Sequence, residues 1–333
     1  MNFGCFVPQG WRLDLKTIAP GFPQYQAMKQ CALRAERLGY HSLWLYDHFH
    51  TIPDAKLETC FEVWTATAAL AEATTTIRLG QMCGCNIYRP PALLAKIAAN
   101  IDVISNGRLD FGLGAGWYQH ESVAYGYPFE KPAIRIGQLD EAVQIIKGMW
   151  TEDYFQFEGT HYTVGHGEVR NYRGNPESLS GAINHPKPIQ KPHPPIWLAG
   201  GGEQLTLRTV ARYADYSNFM GPLATVQHKN RVLDEHCRKI GRDPKEIKRS
   251  ININLLMGNE HEVELQLKDL GRSPEDTEIL KGMLYPSLAA PLLKRLETLG
   301  EEAGVDTVIV YFPDAVTGES MERFAQEIIP QLT

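Results

Sequence analysis

Short apolar runs alternate along this chain with longer stretches whose apolar residues recur every three or four positions. Residues 3–7 read as a strand closed by Pro8. Met28, Cys31, Ala32, Ala35 and Leu38 then share one helical face, with Gly39 placed to end it. Residues 41–46 form a second strand, followed by a helix over 63–70. Residues 77–82 form a third, followed by Leu93, Leu94, Ile97, Ile101 and Ile104 on one face, and 108–113 form a fourth. Strand, helix, strand in succession predicts parallel pairing through helical crossovers.

The rhythm then breaks. A helix carried by Leu139, Ala142, Val143, Ile146 and Trp150 precedes a Pro/Gly/Asn-rich stretch over 159–195, whose prolines forbid regular helix. Strand-like runs resume at 196–199, 216–220, 250–257 and 306–312. Helices are expected over 203–214, over 226–240 and between 260 and 303. Eight strand-plus-helix units predict an α/β fold, a (β/α)8 TIM barrel, in preference to a doubly wound sheet. The chain, 1–333, is then one domain with a long insertion after strand 4, at approximately 118–195.

Composition narrows the function. A net charge of −6 argues against nucleic acid as the main partner. Neither a leader-like start nor an apolar run of bilayer length is seen, which argues against a membrane. The six cysteines are scattered through apolar segments and read as reduced, buried thiols, which points to the cytoplasm. A small-molecule substrate is the partner that remains.

In a barrel the chemistry gathers where strands end. Strand 4 runs into Gly112-x-Gly114-Ala115-Gly116-Trp117, glycines that let backbone approach a flat ligand, then an indole wall. Trp117 stands where a dinucleotide-binding fingerprint needs its third glycine. Strand 5 runs into Gly200-Gly201-Gly202, expected to open a helix and take a phosphate, although a merely flexible loop would look the same. Strand 2 ends in Asp47-His48, where the imidazole either moves a proton or packs beneath a turn capped by Asp47. His48-x-His50 and Cys83-x-Cys85 raise a metal-dependent hydrolase. The strand ends that would have to supply further ligands carry Gly114, Gly200 and Met220, so no metal is expected.

Asp47-His48, Tyr88-Arg89-Pro90-Pro91-Ala92, Ser105-Asn106-Gly107-Arg108, Gly112-x-Gly114-Ala115-Gly116-Trp117 with Glu121, and Pro194-Pro195-Ile196-Trp197-Leu198-Ala199-Gly200-Gly201 together resemble the luciferase-like oxidoreductases. Tyr125-Gly126 makes the set most similar to the branch that uses the deazaflavin F420. The resemblance implies a TIM barrel, commonly a homodimer, that transfers a hydride between F420 and a small organic substrate. The alternative is an FMN-dependent monooxygenase using reduced flavin and O2. It also implies that Met82, Cys83 and Gly84 hold the ring at a bulge, often with a cis peptide. Gly114, Ala115, Gly116 and Trp117 would follow the ring and its chain, Gly200, Gly201 and Gly202 would take the phosphate, and His48 beside Asp47 would handle the proton. The family's sugar-phosphate dehydrogenases carry a carboxylate where this chain has Trp117, which argues against sugar oxidation.

Overall fold

Eight parallel strands close into a ring: β1 (Asn2–Phe6), β2 (Ser42–Leu45), β3 (Arg78–Gln81), β4 (Leu109–Gly114), β5 (Ile196–Ala199), β6 (Tyr216–Asn218), β7 (Lys248–Asn254) and β8 (Val305–Tyr311). Each pairs with the next, β8 pairs with β1, and β4 meets β5 from Phe111↔Ile196 to Gly114↔Ala199. This is the TIM barrel that the alternation predicts, seen here in a computed structural model that describes residues 1–332. A two-residue strand, Gly84–Cys85, adds to the upper end of β4.

Two sets of side chains separate along every strand, as period-two alternation requires. The outward set, among them Leu43, Leu79, Leu113, Leu198 and Val308, packs under the helices in one aliphatic core. The inward set is aromatic: Phe6, Trp44, Tyr46, Trp197 and Tyr311, with Met82 and Ile309. Trp44 and Trp197 meet edge to face at 4.7 Å. They fit because small residues face them. A Cβ on Gly80 would lie 2.3 Å from Trp44 Cζ3, and one on Gly4 would lie 2.6 Å from Trp44 Nε1.

Helix α1 (Phe22–Arg37) buries Met28, Cys31, Ala32 and Ala35, the face that the spacing predicts, and Gly39 follows it at φ +80°. The helix after β4 spans Pro132–Thr151 and packs against the Pro91–Ile104 helix, with Trp150 Nε1 donating to the Ala95 carbonyl at 2.9 Å. Two small hairpins follow it: Phe157–Glu158 with Thr163–Val164, and Glu168–Arg170 with Pro176–Ser178. No helix among the described residues is long and apolar enough to cross a membrane.

Two local expectations change. The triple glycine does not open a helix directly: residues 203–205 form a turn and the helix is Thr206–Tyr213, its entry fixed by Leu207 N–H donating to the Gly202 carbonyl at 2.9 Å. The stretch after Trp117, which lacks an apolar stripe, nevertheless makes a short helix, Gln119–Ala124. Its buried positions are Glu121 and Ser122, held by polar contacts.

Candidate functional site

A cavity of about 590 Å³ opens at the C-terminal ends of the strands. Of the residues singled out from the sequence, His48, Asp47, Met82, Cys83, Gly114, Ala115, Gly116, Trp117, Gly200 and Gly201 line it. Gly84 and Gly202 do not. The Cβ position of Gly84 faces the Gly112 carbonyl at 2.9 Å, and that of Gly202 faces the Thr206 side chain, its Oγ1 at 2.8 Å.

One wall comes from the ends of β3 and β4. The Met82–Cys83 peptide is cis. Gly114 sits against it so closely that a Cβ would lie 2.6 Å from Cys83 Sγ, and Gly116, at φ +79°, would meet Cys85 Sγ at 2.8 Å. Both positions therefore require glycine. Trp117 is mostly exposed at the rim, with its ring edge-on to His48 at 5.7 Å.

His48 is buried, with Trp11 stacked flat on one face at 4.1 Å. Its Nδ1 lies 2.5 Å from Glu121 Oε1. That carboxylate is fully buried and also accepts from the Tyr88 hydroxyl at 2.5 Å and from the Phe49 and His50 N–H groups at 2.8 and 3.1 Å. Burial works against its charge. The bonds from His48, Tyr88 and Phe49 outweigh that and hold the carboxyl below its usual range. An ionised Glu121 only accepts, so Nδ1 is the ring nitrogen that donates to it.

Asp47 is not the partner of His48. Its carboxylate accepts from Cys85 N–H at 2.8 Å and from Arg89 at 2.7 and 3.1 Å. Arg89 also reaches Glu62, which caps the Val63–Ala73 helix. Asp47 thus ties the end of β2 to the short Gly84–Cys85 strand and, through Arg89, to the next helix. His50 points elsewhere, with its Nδ1 3.1 Å from that of His120.

Another part of the cavity gathers backbone, hydroxyl and ammonium donors. Gly200, at φ +126°, and Gly201 line it together with Thr206 and Lys229. A Cβ on Gly201 would lie 3.5 Å from Lys229 Cε. Lys229 Nζ is held at 2.8 Å by Glu203 Oε1, which also meets His228 Nε2 at 3.1 Å. Backbone without side chains, a hydroxyl and an ammonium are donors suited to a phosphate. Lys229 sits in the middle of the Leu223–Lys239 helix and carried no signal in the sequence. Nor did Trp11 and Arg12, which lie in the loop after β1. Glu121 and Tyr88 stood within the family motifs, but nothing in their spacing paired them with His48.

A family model for the luciferase-like monooxygenases matches residues 1–269, and the chain belongs to that family. It is 26% identical over 196 residues to an uncharacterized protein of Mycobacterium tuberculosis, a match spanning 54% of this chain and 63% of that protein's length. It is 28% identical to the F420-dependent glucose-6-phosphate dehydrogenase of Amycolatopsis mediterranei, over 55% of this chain and 48% of that one. The fold is shared with an F420-dependent secondary alcohol dehydrogenase at a TM-score of 0.77 and 18% identity, covering 100% of this chain and 99% of that chain.

Proposed function

We propose that this chain is an F420-dependent oxidoreductase that moves a hydride between the deazaflavin and a small organic substrate. The observation that carries the reading is the sharing of one cavity by His48, with Nδ1 fixed on Glu121, and the Gly200–Gly201–Thr206–Lys229 donor set. When bound, the deazaflavin supplies a ring that accepts or gives two electrons as a hydride.

The protein's own residues do the rest. Gly200, Gly201, Thr206 and Lys229 hold the phosphate of the cofactor's tail. Met82–Cys83 and Gly114–Trp117 form the surface against which the ring packs. Glu121 fixes the tautomer of His48, so that Nε2 takes the proton released in oxidation or, once protonated, returns one in reduction. Trp11, packed in turn on Tyr46, keeps water from one face of the imidazole.

The second reading is an FMN-dependent monooxygenase, favoured by the monooxygenases that give the matching family its name. Both cofactors carry a phosphate and a planar tricycle. Parallel fluorescence titrations of the purified chain with F420 and with FMN separate them. Quenching of F420 at micromolar concentration supports the first reading, and quenching of FMN alone supports the second. A chain that quenches neither overturns both. His48→Ala is expected to lower kcat by about 10²–10⁴-fold, with cofactor affinity unchanged.

A further inference from the structure

Four charged side chains line the cavity: Arg12, Asp47, Arg135 and Lys229. Asp47 is neutralised by Arg89, and Lys229 by Glu203. Arg135 leans on the Phe129 ring at 4.0 Å and donates to the Glu130 carbonyl. Arg12 is different. Its guanidinium lies over the rings of Tyr311, Trp11 and Tyr46 at 4.4, 5.1 and 5.2 Å. Its one hydrogen bond is to a neutral group, from Nη1 to Asn254 Oδ1 at 3.0 Å. Arg12 enters no ion pair among the described residues, and its Nε is buried with no acceptor. Asp14, on the same loop, accepts from Gly10 N–H at 2.6 Å and feels the charges of both Arg12 and Arg272 without forming an ion pair with either. Arg272, which donates to the Arg12 carbonyl and the Tyr311 hydroxyl, adds positive charge behind it.

A guanidinium set among aromatic rings with unfilled donors favours an incoming anion, because the cost of withdrawing its charge from water is already met by the fold. Its place in the ring says which anion. In the strand order, β1, whose following loop carries Arg12, stands diametrically across the barrel from β5, whose following loop carries Gly200 and Gly201. One anionic group at each end is the arrangement expected for two ligands, a cofactor tail at one and a substrate at the other. Trp11 joins the two functions on the substrate side: its ring stacks on His48 and also lies beneath Arg12.

We propose that the substrate is an organic carboxylate, its carboxylate gripped by Arg12 and its body extending into the cavity toward His48. This rests on the oxidoreductase reading for what happens next, but the binding itself does not need the cofactor. Benzoate and its neutral counterpart benzamide serve as probes, each titrated calorimetrically into the whole chain with and without saturating F420. Benzoate is expected to bind about 10-fold or more tightly than benzamide. Arg12→Gln should erase the difference, and Arg12→Lys, which keeps the charge but not the fork, should shrink it.

Equal binding of the two probes by the wild-type chain overturns the proposal. So does a preference that survives Arg12→Gln, or one lost in Lys229→Gln instead. Should Arg12→Gln fail to fold, an undiminished preference in Arg12→Lys overturns it. The cofactor titrations are read separately. A chain that takes neither F420 nor FMN yet prefers benzoate through Arg12 removes the redox reading and keeps the anion site, and the reverse result removes the anion site alone.

Discussion

Two buried carboxylates flank the end of β2, Asp47 and Glu121, and their partners give them opposite roles. Asp47 meets a guanidinium and a backbone N–H, all belonging to elements that must stay together: the strand end, the short strand at Cys85 and the helix behind Arg89. Its charge is closed within the fold. Glu121 meets no permanent cation. Its donors are a phenol, two backbone N–H groups and an imidazole, and the imidazole lines the cavity. Its charge is held against an imidazole that faces the cavity. A carboxylate beside a catalytic-looking histidine in sequence is therefore a poor guide to which carboxylate serves it. Successive side chains at a strand end diverge, and the one that reaches His48 comes from 73 residues away.

The largest effect should come from breaking the closed side. Arg89→Met leaves Asp47 buried beside Glu62 with no counter-ion, and should cost about 3–5 kcal/mol in urea unfolding. A loss below about 1 kcal/mol would place Asp47 among ordinary surface pairs and dissolve the contrast. Breaking the open side should cost less in stability and more in chemistry. Glu121→Gln trades a charge-assisted set of bonds for neutral ones, worth about 1.5–3 kcal/mol at neutral pH. It also leaves the His48 tautomer unfixed, so the pH profile of turnover should change shape.

The pH dependence of that loss has a definite sign. Glu121 is held below its usual range in the fold, so its contribution is complete above the ordinary carboxylate range. It fades as the pH falls through that range and past the folded value. Unfolding free energies of wild type and Glu121→Gln, measured from neutral toward acid, should converge. Parallel curves would mean that Glu121 is already protonated in the folded chain.

The barrel was legible because its signals are local. Apolar periodicity set the eight strands, and glycines at 112, 114 and 116 marked a crowded strand end. Much of the cavity lining was legible for the same reason, since a TIM barrel puts its site at strand ends whatever their sequence. What stayed hidden depends on contacts between units. Lys229 lies mid-helix among ordinary surface residues and reaches Gly201 only after the helix packs. Arg12 gains meaning from rings on β2 and β8. Gly202 looks like its two neighbours in sequence, yet the turn over 203–205 rotates it onto Thr206.

The smallest effect sharpens the comparison most. Tyr88 packs against Phe49 at 4.6 Å and Tyr127 at 5.3 Å, and these contacts survive in Tyr88→Phe, so the substitution removes only the hydroxyl that donates to Glu121. Burial pushes the Tyr88 phenol well up, which keeps it a donor throughout the working pH range. Its loss should cost about 0.5–1.5 kcal/mol. If the bond matters because Glu121 is charged, the same change made in a Glu121→Gln background should cost less, and a double-mutant cycle reads that difference directly. Additive costs would mean that the phenol merely fills space beside the carboxyl, leaving His48 and the two backbone N–H groups to hold Glu121 ionised.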